Sequence, residues 1–159
     1  MLSNIKKRTE GFTIIEVLIV LAIAGLILLI VFLAVPALQR NSRNTQRKND
    51  VSSVLGAFSE EINNNAGAIP ATCDGASTTC FVKNVKLSNY DNATNSVSFT
   101  KQTAATAPTA VTVADQVKLY SYAKCSGNTP VATNATSRSV IALYAVESQG
   151  ATVPQCQES

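Results

Sequence analysis

An apolar run extends from Phe12 to Val35, FTIIEVLIVLAIAGLILLIVFLAV, with one charge, Glu16, inside it. Its length of about 24 residues predicts a helix roughly 36 Å long at about 1.5 Å per residue, enough to cross a hydrocarbon core of about 30 Å. The pattern then changes. Gln39 to Asp50 is almost wholly polar, after which Val51, Val54, Leu55, Phe58 and Ile62 recur at helical offsets. They make one face of an amphipathic helix, which the rest of the chain must cover. Asn63, Asn64, Asn65 and Gly67 mark its end. Between the two halves, Pro36 lacks an amide hydrogen and predicts a kink or a local break.

From residue 66 the chain turns to Ser, Thr, Asn and Ala with short alternating segments. Phe81 to Leu87 reads as a weak strand, and Ser96 to Gln102 alternates Val97 and Phe99 against polar residues. Val117 to Lys124 and Ser139 to Glu147 are the strongest strand candidates, being rich in Val, Ile, Leu and Tyr. Asn89 to Asn95, Thr103 to Thr109 and Ser126 to Pro130 read as turns. The expected head is an antiparallel meander with one face on the Val51–Ile62 stripe. The fold class is α+β: a long N-terminal α-helix, half membrane-spanning and half amphipathic, packed on a small antiparallel β-sheet. Four segments follow: a leader at 1–11, a membrane helix at 12–35, its amphipathic continuation at 36–65, and a β head with disulfide-closed loops at 66–159.

Charge sharpens this division. The leader carries Lys6, Lys7 and Arg8 against Glu10, and residues 40–50 carry Arg40, Arg43, Arg47 and Lys48 against Asp50. The formal net charge of +3 is thus concentrated at the flanks of the apolar run, and the head is near neutral. It has no broad electrostatic footprint for nucleic acid. Basic residues on both flanks leave the helix without an orientation by charge. A cleaved secretory signal fits poorly, because the run continues well past the small residues Ala22 and Ala24. Arg40, Arg43 and Arg47 share a helical face that either meets lipid headgroups or a neighbour's acidic groups, or is simply solvated.

The four cysteines, Cys73, Cys80, Cys125 and Cys156, all lie beyond the membrane run. An even count in a loop-rich domain points to disulfides in an oxidising compartment, which favours a head outside the cytoplasm. Local pairing, Cys73 with Cys80 and Cys125 with Cys156, is preferred over the other connectivities. With no histidine in the chain there is no Ser-His-Asp set, no Cys-His pair and no histidine metal ligand. No phosphate-binding glycine loop is present, and no cofactor or metal is expected. Lys118, Tyr120, Tyr122 and Lys124 alternate along one predicted strand, a weak surface-binding stripe for single-stranded nucleic acid or a glycan. Asn-x-Thr sequons at Asn92 and Asn134 fall in predicted loops.

Glu16 is the residue the apolar run does not explain, since a carboxylate there is expensive. It could lie shallow enough to reach headgroups, or stabilise the positive end of its own helix. It could also pair with a buried positive charge on another protein. A cut after Gly11 would create such a charge, an α-ammonium on Phe12.

The stretch Lys6-Lys7-Arg8-Thr9-Glu10-Gly11-Phe12-Thr13-Ile14-Ile15-Glu16 resembles the cleavage and assembly motif of the type IV pilin family. The resemblance covers about residues 6 to 38. It implies an inner-membrane precursor whose leader is cut between Gly11 and Phe12 by prepilin peptidase, with Phe12 then N-methylated. Subunits would be extracted from lipid by an inner-membrane assembly platform into a helical homopolymer on the cell surface. Glu16 would neutralise a neighbour's Phe12 amine, and Gly25 and Pro36 would fall where the family's helix loosens. Pro36 lies about three residues later than is common in the family, and Ile14 stands where leucine is frequent.

These features favour a structural subunit and not an enzyme: a type IV pilin, major more than minor, serving motility, adhesion or DNA uptake. The nearest rival is a pseudopilin of a type II secretion or competence system, whose major subunits tend to use a calcium-bound loop where this chain has Cys125 and Cys156. A rival of another class is a membrane-anchored binding module or adhesin using the Lys118–Lys124 stripe. DNA or a host surface as partner has no support in the residues themselves.

Overall fold

Helix α1 runs from Ile14 to Asn64, through Pro36, in a computed structural model that describes residues 11–70, 73, 75–76, 87, 90 and 97–159. The expected break at Pro36 is absent: the helix absorbs the proline, which leaves the carbonyl of Phe32 without its usual amide donor. The chain divides into two compact units, Met1–Gln39 and Arg40–Ser159. In the first, the side chains of the apolar run are exposed throughout, with Phe12 at 90% and Phe32 at 77%. This is the one helix among the described residues long and apolar enough to cross a membrane.

In the second unit the helix ends in a tight C-terminal turn. Gly67 donates its amide to the carbonyl of Ile62 at 2.8 Å, and Ala66 and Gly67 both take positive φ, 55° and 79°. Seven strands follow: β1 Gly75–Ala76, β2 Val97–Thr100, β3 Val117–Ser121, β4 Lys124–Ser126, β5 Thr129–Val131, β6 Val140–Ser148 and β7 Ala151–Glu158. Five of them form one sheet in the order β1-β2-β3-β6-β7, and β4 and β5 form a separate hairpin.

The sheet is not a pure meander. β2 and β3 pair in parallel, while the remaining neighbours are antiparallel. A parallel pair needs a crossover of a dozen or more residues, and the connection Lys101–Gln116 supplies it. Thr103–Thr109, expected as a turn between antiparallel strands, is only the middle of that connection. β6 and β7 are joined by a two-residue turn with Gln149 and Gly150 at positive φ, the geometry that matches strand twist. β7 falls in a stretch where no strand is expected from the sequence; it carries Pro154 at the sheet edge, where proline is tolerated. The expected strand at Phe81–Leu87 falls largely outside the described residues; Leu87 is half-buried and not in a strand.

Both faces of the sheet are covered. Val51, Val54, Leu55, Phe58 and Ile62 of α1 pack in one core with Val97, Phe99, Val117, Leu119, Val140, Ala142 and Tyr144. The rings of Phe58 and Phe99 meet at 4.7 Å between centroids. On the other face, Ile141 and Leu143 pack with Val111 and Ala123, and with Tyr120, Cys125 and Cys156. Double coverage explains why Val140–Ala145 reads as an unbroken apolar run and not an alternating one. The architecture is an α+β fold, one long N-terminal helix and a small, mostly antiparallel sheet.

Candidate processing and assembly site

Gly11, Phe12 and Thr13 precede the helix, and Glu16 lies in its first turn. The first turn of any helix leaves backbone N–H groups without intrahelical acceptors. Here Thr13 and Glu16 satisfy two of them reciprocally. The Thr13 amide donates to Glu16 Oε2 at 2.8 Å, the Glu16 amide to Thr13 Oγ1 at 3.4 Å, and the Thr13 hydroxyl to the same Oε2 at 2.8 Å. This is a capping box. The Thr-x-x-Glu spacing was present in the sequence, yet Glu16 was weighed there only against lipid depth, helix dipole and an external charge. Thr13 is the residue that reading missed.

The cap uses one carboxylate oxygen. Among the described residues nothing bonds Glu16 Oε1, so the group keeps an acceptor for a further cation while its own helix end is satisfied. Phe12, Glu16, Val17, Val20 and Leu21 line a shallow groove of about 290 Å³ whose surface is apolar. The Glu16 carboxylate itself is exposed beside that apolar surface. Gly25 has open space around its Cα, and a methyl group there would meet nothing within 4 Å in this chain.

The remaining candidates separate. Cys125 and Cys156 are joined, with their Cα atoms 5.7 Å apart, and the bond ties the β4–β5 hairpin to β7. Cys73 is buried and disulfide-bonded; its expected partner Cys80 lies outside the described residues. The Lys118–Lys124 stripe is not one strand face. β3 ends at Ser121, Tyr122 takes φ 55°, and Lys124 opens β4, so the alternation is lost after Tyr120. Tyr120 itself packs beneath the hairpin, and its burial raises the phenol pKa. Asn134 sits exposed in a turn, and Asn92 lies outside the described residues. Among the described residues no cluster of three potential metal ligands occurs.

The sequence leaves Arg40, Arg43 and Arg47 to meet lipid headgroups, a neighbour's acidic groups or solvent; in the fold Arg43 is exposed and Arg47 is buried in the head. Both turn to Glu147 of β6: Arg43 Nη2 lies 2.6 Å from Oε2, and Arg47 Nη1 lies 2.8 Å from Oε1. Arg47 also faces Asp115 at 3.6 Å. Asn44, between them, accepts from the Glu147 amide at 2.9 Å and donates to its carbonyl at 2.8 Å. β3 starts at Val117 and its register places Lys118 opposite Leu143, so Glu147 extends beyond β3. The Asn44 carboxamide completes the ladder there.

Neither curated proteins nor solved structures give a match to the chain. Residues 6–32 match the prokaryotic N-terminal methylation motif, and that match spans the leader from Lys6 onward, Gly11, Phe12, the Thr13–Glu16 cap and most of the apolar run. The chain therefore carries the type IV prepilin signature.

Proposed function

We propose that this chain is the precursor of a type IV pilin, in the role of a major subunit. The leader, residues 1–11, is removed by prepilin peptidase between Gly11 and Phe12, and the new amine is methylated. Residues 12–35 hold the precursor in the inner membrane with the head outside the cytoplasm. An assembly platform there draws the helix into a filament core made of copies of itself. The observation that carries this reading is the register of the motif with the helix start: the cut site lies two residues before α1 begins, beside the capped Glu16. A freed Phe12 ammonium has its natural counter-ion in the Glu16 carboxylate of a neighbour, and the apolar surroundings strengthen that attraction. The near-neutral head suits repeated packing, and the Cys125–Cys156 bond supports a pilin over a calcium-dependent pseudopilin. Intact-mass analysis of sheared surface filaments tests it. The expected subunit begins at methylated Phe12; filaments lacking this chain, or a chain retaining residues 1–11, would refute the assignment.

A further inference from the structure

A cleft of about 540 Å³ opens where the parallel strands β2 and β3 end, between the segments that follow them, the turn after α1 and the residues before β6. Its volume falls in the range of about 300–1,000 Å³ usual for small-molecule sites. The residues lining it include Lys101 and Arg138 and no Asp or Glu. Thr103 and Ser137 add hydroxyls, and Tyr122 adds an aromatic ring.

The floor is built. Ser121 is fully buried and its hydroxyl accepts from the Gln102 amide at 2.8 Å, which pins the start of the β2–β3 connection beneath the cleft. Tyr122 holds φ 55°, a region that non-glycine residues enter at a cost of order 1 kcal/mol or more and that recurs at ligand sites. Arg138 lies against Gly67, whose φ of 79° already requires glycine; a side chain at 67 would collide with the guanidinium. Lys101 has interactions of its own within the chain, so it contributes positive potential and not a free donor set. Arg138 differs: among the described residues it makes no ion pair and no hydrogen bond. Its charge also lies near the C-terminal end of α1, whose last turn has no basic residue. That role uses the charge and leaves the planar fork of N–H donors without a protein acceptor among the described residues.

We propose that this cleft binds an acidic sugar, with Arg138 gripping its carboxylate or phosphate bidentately, Tyr122 offering a face to the ring, and Thr103 and Ser137 meeting ring hydroxyls. A planar guanidinium matches two anionic oxygens in a way a lone ammonium does not. An acid-free lining raises the selectivity for anions over neutral sugars.

Calorimetric titration of the full chain in a neutral detergent, with glucuronate, glucose 6-phosphate, glucose and inorganic phosphate as separate probes, tests it. The two acidic sugars should bind at least tenfold more tightly than glucose and more tightly than phosphate, and binding should weaken with salt. Loss of a charge-assisted hydrogen bond is worth a factor of about ten to a hundred. Arg138→Gln should therefore lower affinity at least tenfold with an unchanged circular dichroism spectrum, and Arg138→Lys should restore only part of it. A role confined to the helix end would move the melting temperature and not these affinities. Absence of acidic-sugar binding overturns the proposal, as does equal affinity for glucose, equal affinity for phosphate, or an Arg138→Gln chain that binds as before.

Discussion

Arg47 is enclosed in the head, 5% exposed, with its Nη1 2.8 Å from Oε1 of Glu147 on β6. A guanidinium taken from water needs an anion close by. Glu147 serves Arg47 and Arg43 together, so its removal leaves the enclosed charge with the more distant, exposed Asp115 at 3.6 Å. Glu147→Gln is expected to destabilise the head by about 1–3 kcal/mol, and Arg43→Gln to do so far less, because exposed pairs contribute little. Thermal melts of the two variants, followed by circular dichroism in detergent, give the ranking; equal losses would mean that Arg47 does not depend on Glu147.

The same contact sets an acid limb. Hydrogen bonds from Arg43, and then the close Arg47 guanidinium, hold the Glu147 carboxyl at about 2, against an ordinary 4.5. The folded head therefore binds this proton more weakly than the unfolded chain does. Its contribution is complete above about pH 4.5 and is lost as pH falls toward 2. The stability difference between the native chain and Glu147→Gln should be constant from pH 7 to 5 and shrink below that, as denaturant melts across the range would record.

The Cys125–Cys156 bond closes a sequence separation of 31 residues. Restricting an unfolded loop of that size is worth about 2–4 kcal/mol. Cys125→Ser with Cys156→Ser should lower the denaturation midpoint accordingly, and reduction of the native chain, which also opens the Cys73 bond, should lower it at least as far. Proteolysis is expected to reach the β4–β5 hairpin first in the reduced protein.

Phe58 links α1 to the sheet through Phe99 and is wholly buried. Phe58→Ala should cost about 3–5 kcal/mol, and Phe58→Leu less, because it leaves a smaller cavity. A loss below 1 kcal/mol in urea titrations would show that the helix does not depend on this contact.

Glu16→Ala should be cut and methylated normally, remain in the membrane, and yield no filaments. Thr13→Ser keeps the cap, so it should assemble as the native chain does. Piliation counted by electron microscopy, with subunit mass as the processing control, separates the two steps; normal filaments from Glu16→Ala would remove the carboxylate from assembly.

Much of this molecule follows from local pattern. The apolar length of residues 12–35, the helical spacing of Val51 to Ile62, and the leader with Gly11, Phe12 and Glu16 in register are short-range features, so the sequence alone determined the helix, its buried face and the prepilin signature. Cys125 and Cys156 were also legible, because few pairings exist among four cysteines. What required the tertiary structure was anything set by distant partners. The parallel pairing of β2 and β3 depends on where the Lys101–Gln116 connection returns, and β7 is stable only as an edge on β6, whatever Pro154 suggests in isolation. Arg43 and Arg47 look like surface charges until β6 brings Glu147, about a hundred residues away, against them. Glu16 belongs to both accounts: its spacing from Thr13 and Phe12 is written in the chain, but only the folded first turn shows one carboxylate oxygen taken by the cap and the other without a bond among the described residues.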